Sequence, residues 1–168
     1  MTATRFDQRM YTVMNRREAA ALYATAARRR AVVGVHVALT AVGVVAWNAT
    51  VFADDTIGLI AVLAVLLPWI IATGAINAAT RGLLELRGRM LDERQLVERD
   101  RVRATAHRVT GWLLLAATAA LAVLARTTDV ELGGLALPLM VGVFVVHRMM
   151  PLWIAMLRTE DEPADADA

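Results

Sequence analysis

The sequence predicts an all-α protein. It should be a four-helix transmembrane bundle with both termini inside, an amphipathic N-terminal helix, and a cytoplasmic helical hairpin between spans two and three. Three observations predict this. Apolar residues make up 58% of the 168-residue chain, and they come in blocks long enough to cross a bilayer. All 18 basic residues are Arg, and they gather in an N-terminal arm, a central segment and the region near the carboxyl end. The connections between the other block ends carry one Arg in all, so the long connection should face the cytoplasm and the short ones outside.

Residues 1–31 form the arm, with seven Arg against two carboxylates in positions 1–30. From Arg5 to Arg30 there is no Gly or Pro, and Phe6, Met10, Val13, Met14 and Leu22 recur near helical spacing. Such a helix either lies on the headgroups, apolar side down, or packs on the protein's own cytoplasmic hairpin. Both readings stay open at this point.

The membrane domain covers residues 32–157. Its first span, Val32–Ala53, is uncharged, with His36, Thr40, Asn48 and Thr50 as its polar side chains. Val51-Phe52-Ala53 resembles a signal cleavage site behind the basic flank Arg28-Arg29-Arg30. The long arm and an apolar core well above the usual ~7–15 residues argue that the block stays in place as a span. The second span, residues 57–79, contains only Pro68, Thr73 and Asn77 as interruptions.

Residues 81–108 hold eight Arg and are expected to form the hairpin. Helix two can run on through Leu83, Leu84 and Leu86 toward Met90, with Glu85 and Arg89 paired at i,i+4. Asp92 then has the character of an N-cap, and Gln95 three residues on completes a capping-box pattern. Nothing breaks the helix from Glu93 into the third span, about 109–126. Val102, Ala106, Val109, Leu113, Ala116, Ala120 and Val123 make a heptad-like seam along it. A hairpin of this length would project about 20 Å. The fourth span, about 132–154, contains His147 and Arg148, and Arg148 is expected to reach out to the headgroups. The tail 158–168 holds five carboxylates and Pro163, a composition expected to be disordered.

Small residues recur at four-residue spacing in the spans: Gly34 with Ala38, Gly74 with Ala78, Ala116 with Ala120, and Gly142 with Pro138. They suit close helix approach or a homo-oligomer face. The chain also repeats coarsely, a basic helix followed by two spans, twice. Trp47, Trp112 and Trp153 suit interfacial anchors, and Trp69 suits packing. Asn48 and Asn77 suit interhelical hydrogen bonds.

The string Leu91-Asp92-Glu93-Arg94-Gln95 between spans two and three resembles a loose group of small, uncharacterised bacterial multi-helix membrane proteins, actinobacterial in appearance. These carry an Asp-Glu-Arg-Gln or Asp-Glu-Arg-Glu signature there, and some are encoded beside small helix-turn-helix regulators. The resemblance covers the middle third of the chain and implies no reaction. The Arg-only basic set and the wealth of Ala and Val also suit a GC-rich bacterial genome, and so a bacterial cytoplasmic (inner) membrane.

The chemistry available is sparse. The absence of Cys excludes disulfides, thiolate metal sites and Cys nucleophiles. No phosphate loop, nucleophile elbow, zinc-protease helix or dinucleotide fingerprint occurs, so no enzyme and no cofactor is expected. No carboxylate falls in a predicted span, which argues against proton-driven export. His36, His107 and His147 all fall toward the cytoplasmic ends of helices and are the candidates for a metal or haem site. The bland reading places each at the interface, ring inward and polar tip in the headgroups. Arg28, Arg29, Arg30, Arg81, Arg108 and Arg148 are the candidates for lipid headgroup contact. Nucleic-acid binding is disfavoured, because the central basic segment is studded with acids and lacks aromatics.

The leading expectation is a non-enzymatic accessory or regulatory membrane protein. It would bind a protein partner or anionic lipid through its cytoplasmic arm and hairpin. A small transporter or channel subunit acting as an oligomer is the second reading, and a His-ligated metal or haem protein the third.

Overall fold

The computed structural model describes residues 4–14, 20–53, 55–128 and 133–159. Among them are α1 (Arg5–Met14), α2 (Ala20–Tyr23), α3 (Ala26–Ala53), α4 (Thr56–Ala79), a single 3-10 turn at Gly88–Met90, α5 (Glu93–Thr127) and α6 (Gly133–Arg158). No strand occurs among the described residues. Helices α3 to α6 are each long and apolar enough to cross a membrane. The acidic tail, apart from its first residues, and Asn15–Ala19 of the arm lie outside the described residues.

A two-residue link joins α3 to α4, and Asp55 caps α4 by accepting the Ile57 N–H at 2.9 Å. The two helices then run antiparallel in a steady register. Thr50 meets Gly58, Gly43 meets Val65, Thr40 meets Trp69 and His36 meets Thr73. Gly58 is required by this register. A Cβ there would lie 2.7 Å from both the Ala46 carbonyl oxygen and the Thr50 hydroxyl. Helix α6 is antiparallel to α3, as the pairs Trp153–His36 and Gly142–Val44 show, and its Arg158 meets Glu98 near the start of α5. It lies between the α3–α4 hairpin and α5, which reaches the bundle through it.

The core sits at the Arg-rich end. Val33, Ile76, Ala79, Ala106, Met150, Leu152, Trp153 and Met156 are buried together there. Farther along, the helices face outward. Residues 111–120 of α5 are exposed throughout, Trp112 and Leu115 among them. In water that surface would be costly, but lipid tails are as apolar as Leu, so helices in a bilayer gain little by covering it.

Four sequence expectations are revised here. Helix two does not continue to Met90. It ends at Ala79, where the Gly82 N–H bonds to the Asn77 carbonyl and the Arg81 N–H to the Ala78 carbonyl. That is the paired 6→1 and 5→2 pattern of a Schellman ending, with Arg81 (φ 51°) and Gly82 (φ 69°) left-handed. The chain then turns back through 81–91 and buries Leu86 and Leu91, so the expected first limb of the hairpin, the extension of helix two, is not α-helical, while the second limb is the start of α5. Second, the arm is not one helix, because it bends at Ala24–Thr25 between α2 and α3. Third, the α5 seam is buried only at Val102 and Ala106, joined by Thr110, while Val109, Leu113, Ala116, Ala120 and Val123 are exposed. Fourth, Gly34 and Gly74 have open space where a Cβ would sit, and of the expected close-approach glycines Gly142 meets a neighbouring helix, Val44 at 3.5 Å.

Candidate functional site

Two polar constellations are built at the Arg-rich end. The first lies inside the bundle and joins three helices. His36 of α3 is fully buried, and its Nδ1 accepts the indole N–H of Trp153 from α6 at 2.9 Å. An indole N–H only donates, so Nδ1 carries no proton and Nε2 carries it. Nε2 sits 2.9 Å from the Thr73 hydroxyl of α4, which itself donates to the Trp69 carbonyl at 2.8 Å. Trp69 donates its indole N–H to the Thr40 hydroxyl at 2.9 Å, and Thr40 donates back to the His36 carbonyl at 2.7 Å. Every proton in this five-residue set has one acceptor. The rings also pack, His36 lying 5.0 Å from Trp69 and edge-on to Trp153 at 6.1 Å.

This arrangement revises two expectations. His36 is neither an interfacial residue nor an open ligand, because both ring nitrogens are engaged. His107 and His147 are exposed on α5 and α6, and no group of three metal-binding side chains forms among the described residues. Trp153 is a buried hydrogen-bond donor, 7% exposed, while Trp47 and Trp112 are exposed. Nor does Asn48 bridge helices, since its amide donates to the Val44 carbonyl of its own helix. Asn77 Oδ1 has no hydrogen-bond partner among the described residues.

The second constellation fastens the arm to the 81–91 turn. Thr4 opens α1 with a reciprocal cap. Its hydroxyl accepts the Asp7 N–H at 3.3 Å, while Asp7 Oδ2 accepts the Thr4 N–H at 2.8 Å and the Thr4 hydroxyl at 2.7 Å. The same carboxylate is ion-paired with Arg89 and lies 3.7 Å from the Arg87 guanidinium. Arg89 is therefore drawn to the arm and not to Glu85. The backbone and side-chain bonds from Thr4, reinforced by Arg89 against the opposing effect of burial, lower the Asp7 carboxyl to about 2. Beside this pair, Met14 covers Gly82, where a Cβ would come within 2.9 Å of its Cγ. The Thr4-x-x-Asp7 spacing is a capping-box signature legible in the sequence, the local signal of this helix start.

Asp92 opens α5 with a full capping box. Asp92 Oδ1 accepts the Gln95 N–H at 2.7 Å, and Gln95 Oε1 accepts the Asp92 N–H at 3.1 Å. Of the Arg residues expected at headgroups, Arg28, Arg30, Arg81, Arg108 and Arg148 are exposed. Arg29 is the correction: it is 5% exposed and donates to the Tyr23 carbonyl at 3.2 Å, which ties α2 to the start of α3. Arg28 shares that task, donating to the Ala21 carbonyl at 2.7 Å. Farther round this end, Arg158 of α6 pairs with Glu98 of α5 at 2.8 Å.

No protein-family model, curated protein or solved structure matches the chain.

Proposed function

We propose that this multi-pass protein is a non-enzymatic accessory or regulatory component of a bacterial cytoplasmic membrane. In this reading both termini and the 81–92 turn are cytoplasmic. It engages a protein partner or anionic lipid through the arm, the turn and the first turns of α5. One observation carries the reading: the docking of α1 on the turn through Asp7, Arg89 and Arg87. That docking makes one continuous charged surface from segments more than 80 positions apart in sequence. Within the bundle, the five-residue network around His36 pairs each of its own donors with an acceptor. Asp92 and Gln95, which carry the family resemblance, serve here as a helix start. Affinity purification of the full chain in mild detergent tests the reading. A reproducible protein partner, or retained anionic lipid, is expected. Recovery of a lipid-free monomer without any partner overturns it.

A second reading, a transporter or channel subunit acting as an oligomer, is favoured by the exposed apolar length of α5 beyond Thr110. Reconstituted vesicles that stay tight to ions and small solutes sink it.

A further inference from the structure

Helix α1 has three faces that differ in kind. One is turned to the protein: Asp7, buried on Arg89 and Arg87, and Met14 over Gly82. A second is apolar and bare, with Phe6 62% and Val13 51% exposed and Met10 partly covered between them. The third is polar, with Arg5, Gln8, Arg9 and Thr12 exposed. In a ten-residue helix Phe6, Met10 and Val13 fall on one stripe, with Arg9 and Arg5 successively farther round on the same flank.

The helix is also held at a defined depth. Met14 touches Gly82, three residues beyond the last helical residue of the α4 span. Its carboxyl end therefore sits level with the Arg-rich end of the α4 span. Charge completes the picture. The one acid of α1 is turned inward and neutralised, so the outward charges, Arg5 and Arg9, are both positive. Around the same end Arg28, Arg30, Arg108 and Arg148 are exposed as well.

We infer that α1 is a surface helix that binds the anionic lipids of the adjoining leaflet. Phe6, Met10 and Val13 enter the acyl boundary, Arg5 and Arg9 meet the headgroups, and the Asp7 latch sets the helix's rotation. The inference rests on the reading above and names its partner as anionic lipid. Stable attachment at an interface takes an apolar contact and a basic contact together, and this helix presents both.

The absence of Cys makes the test clean. The full chain carrying Phe6→Cys, Val13→Cys or, as a control, Gln8→Cys is spin-labelled and placed in nanodiscs. These are made of phosphatidylcholine, with or without phosphatidylglycerol. Labels at 6 and 13 should be open to oxygen and shielded from a polar collision reagent, and the label at 8 the reverse. Adding phosphatidylglycerol should deepen the first two. Replacing both Arg5 and Arg9 with Ala should weaken docking in anionic discs by about thirtyfold and leave zwitterionic discs unaffected, since each surface cation contributes about fivefold. Asp7→Asn, at a residue outside the four long helices, should make the three labels alike. Labels at 6 and 13 as open to the polar reagent as the label at 8 overturn the inference. So does immersion indifferent to phosphatidylglycerol. Shielding that appears only when a protein co-purifies overturns it too, while leaving the broader reading in place.

Discussion

Trp153 and His36 show how a single buried donor decides the state of a ring. Because the indole can only donate, removing it leaves Nδ1 of a fully buried His with the Thr40 hydroxyl alone, at 3.4 Å and already donating to the His36 carbonyl. A buried acceptor stranded in this way costs about 1–3 kcal/mol. Trp153→Phe should therefore lower the unfolding midpoint in detergent clearly. Trp112→Phe, at a site 66% exposed, should change stability by about 0.5 kcal/mol or less. Equal effects from the two would mean the indole bond contributes little beyond ring volume. Asp7 makes a pH prediction of the opposite kind. Its carboxyl is lowered from 3.8 to about 2 on folding, so its contribution is complete above about pH 4 and fades as pH falls toward 2. A label on α1 should report unchanged docking between pH 5 and 8, with release only in strong acid. Release near pH 6 would show that another group holds the arm.

At the scale of elements, helix ends explain the architecture better than helix interiors. Asp92 and Gln95 satisfy each other's backbone groups at the start of α5, and a cap of this kind is worth about 0.5–2 kcal/mol. Asp92→Ala should speed amide exchange over Glu93–Val97 while all four long helices persist. Unchanged exchange there would make Asp92 an ordinary surface charge. This start was legible because a capping box is a local pattern with a local cause. The end of α4 was not, although Gly82 stands where a stop belongs. Leu83, Leu84 and Leu86 continue the helical rhythm past it, and periodicity alone cannot show that Leu86 is buried by folding back. The α5 seam misled for a related reason. Its repeat is real in sequence, but only Val102 and Ala106 meet the bundle, because lipid can serve the rest.

At the scale of the molecule, the spans were legible because hydrocarbon thickness imposes a length that composition alone can reveal. The polar network was not. Thr40, Thr73, Trp69, His36 and Trp153 look unremarkable one at a time, and only the register of three helices brings them together. The Arg pattern predicts an orientation that labelling tests directly. A cysteine at Thr128 should react with an impermeant maleimide on intact cells, and one at Arg101 only after permeabilisation. The reverse order would invert the topology and place the arm's surface outside.

The separation of Trp153 from His36, 117 positions along the chain, has a temporal meaning. At synthesis rates of about 5–20 residues per second, His36 is made roughly 6–23 s before its partner exists. During that interval α3 and α4 can zip together locally, and Thr40 and Thr73 can find Trp69 and His36. Nδ1 lacks its indole donor, and α5 is held only near its start, by Arg99 and Leu96 against Leu86 and Gly88 of the turn. The arrival of α6 ends both conditions at once, since the same helix supplies the missing donor and the surface on which α5 settles. A ribosome stalled before residue 153 would thus leave a chain that is inserted but unfinished, without the indole donor for its imidazole and without the α6 face on which α5 packs.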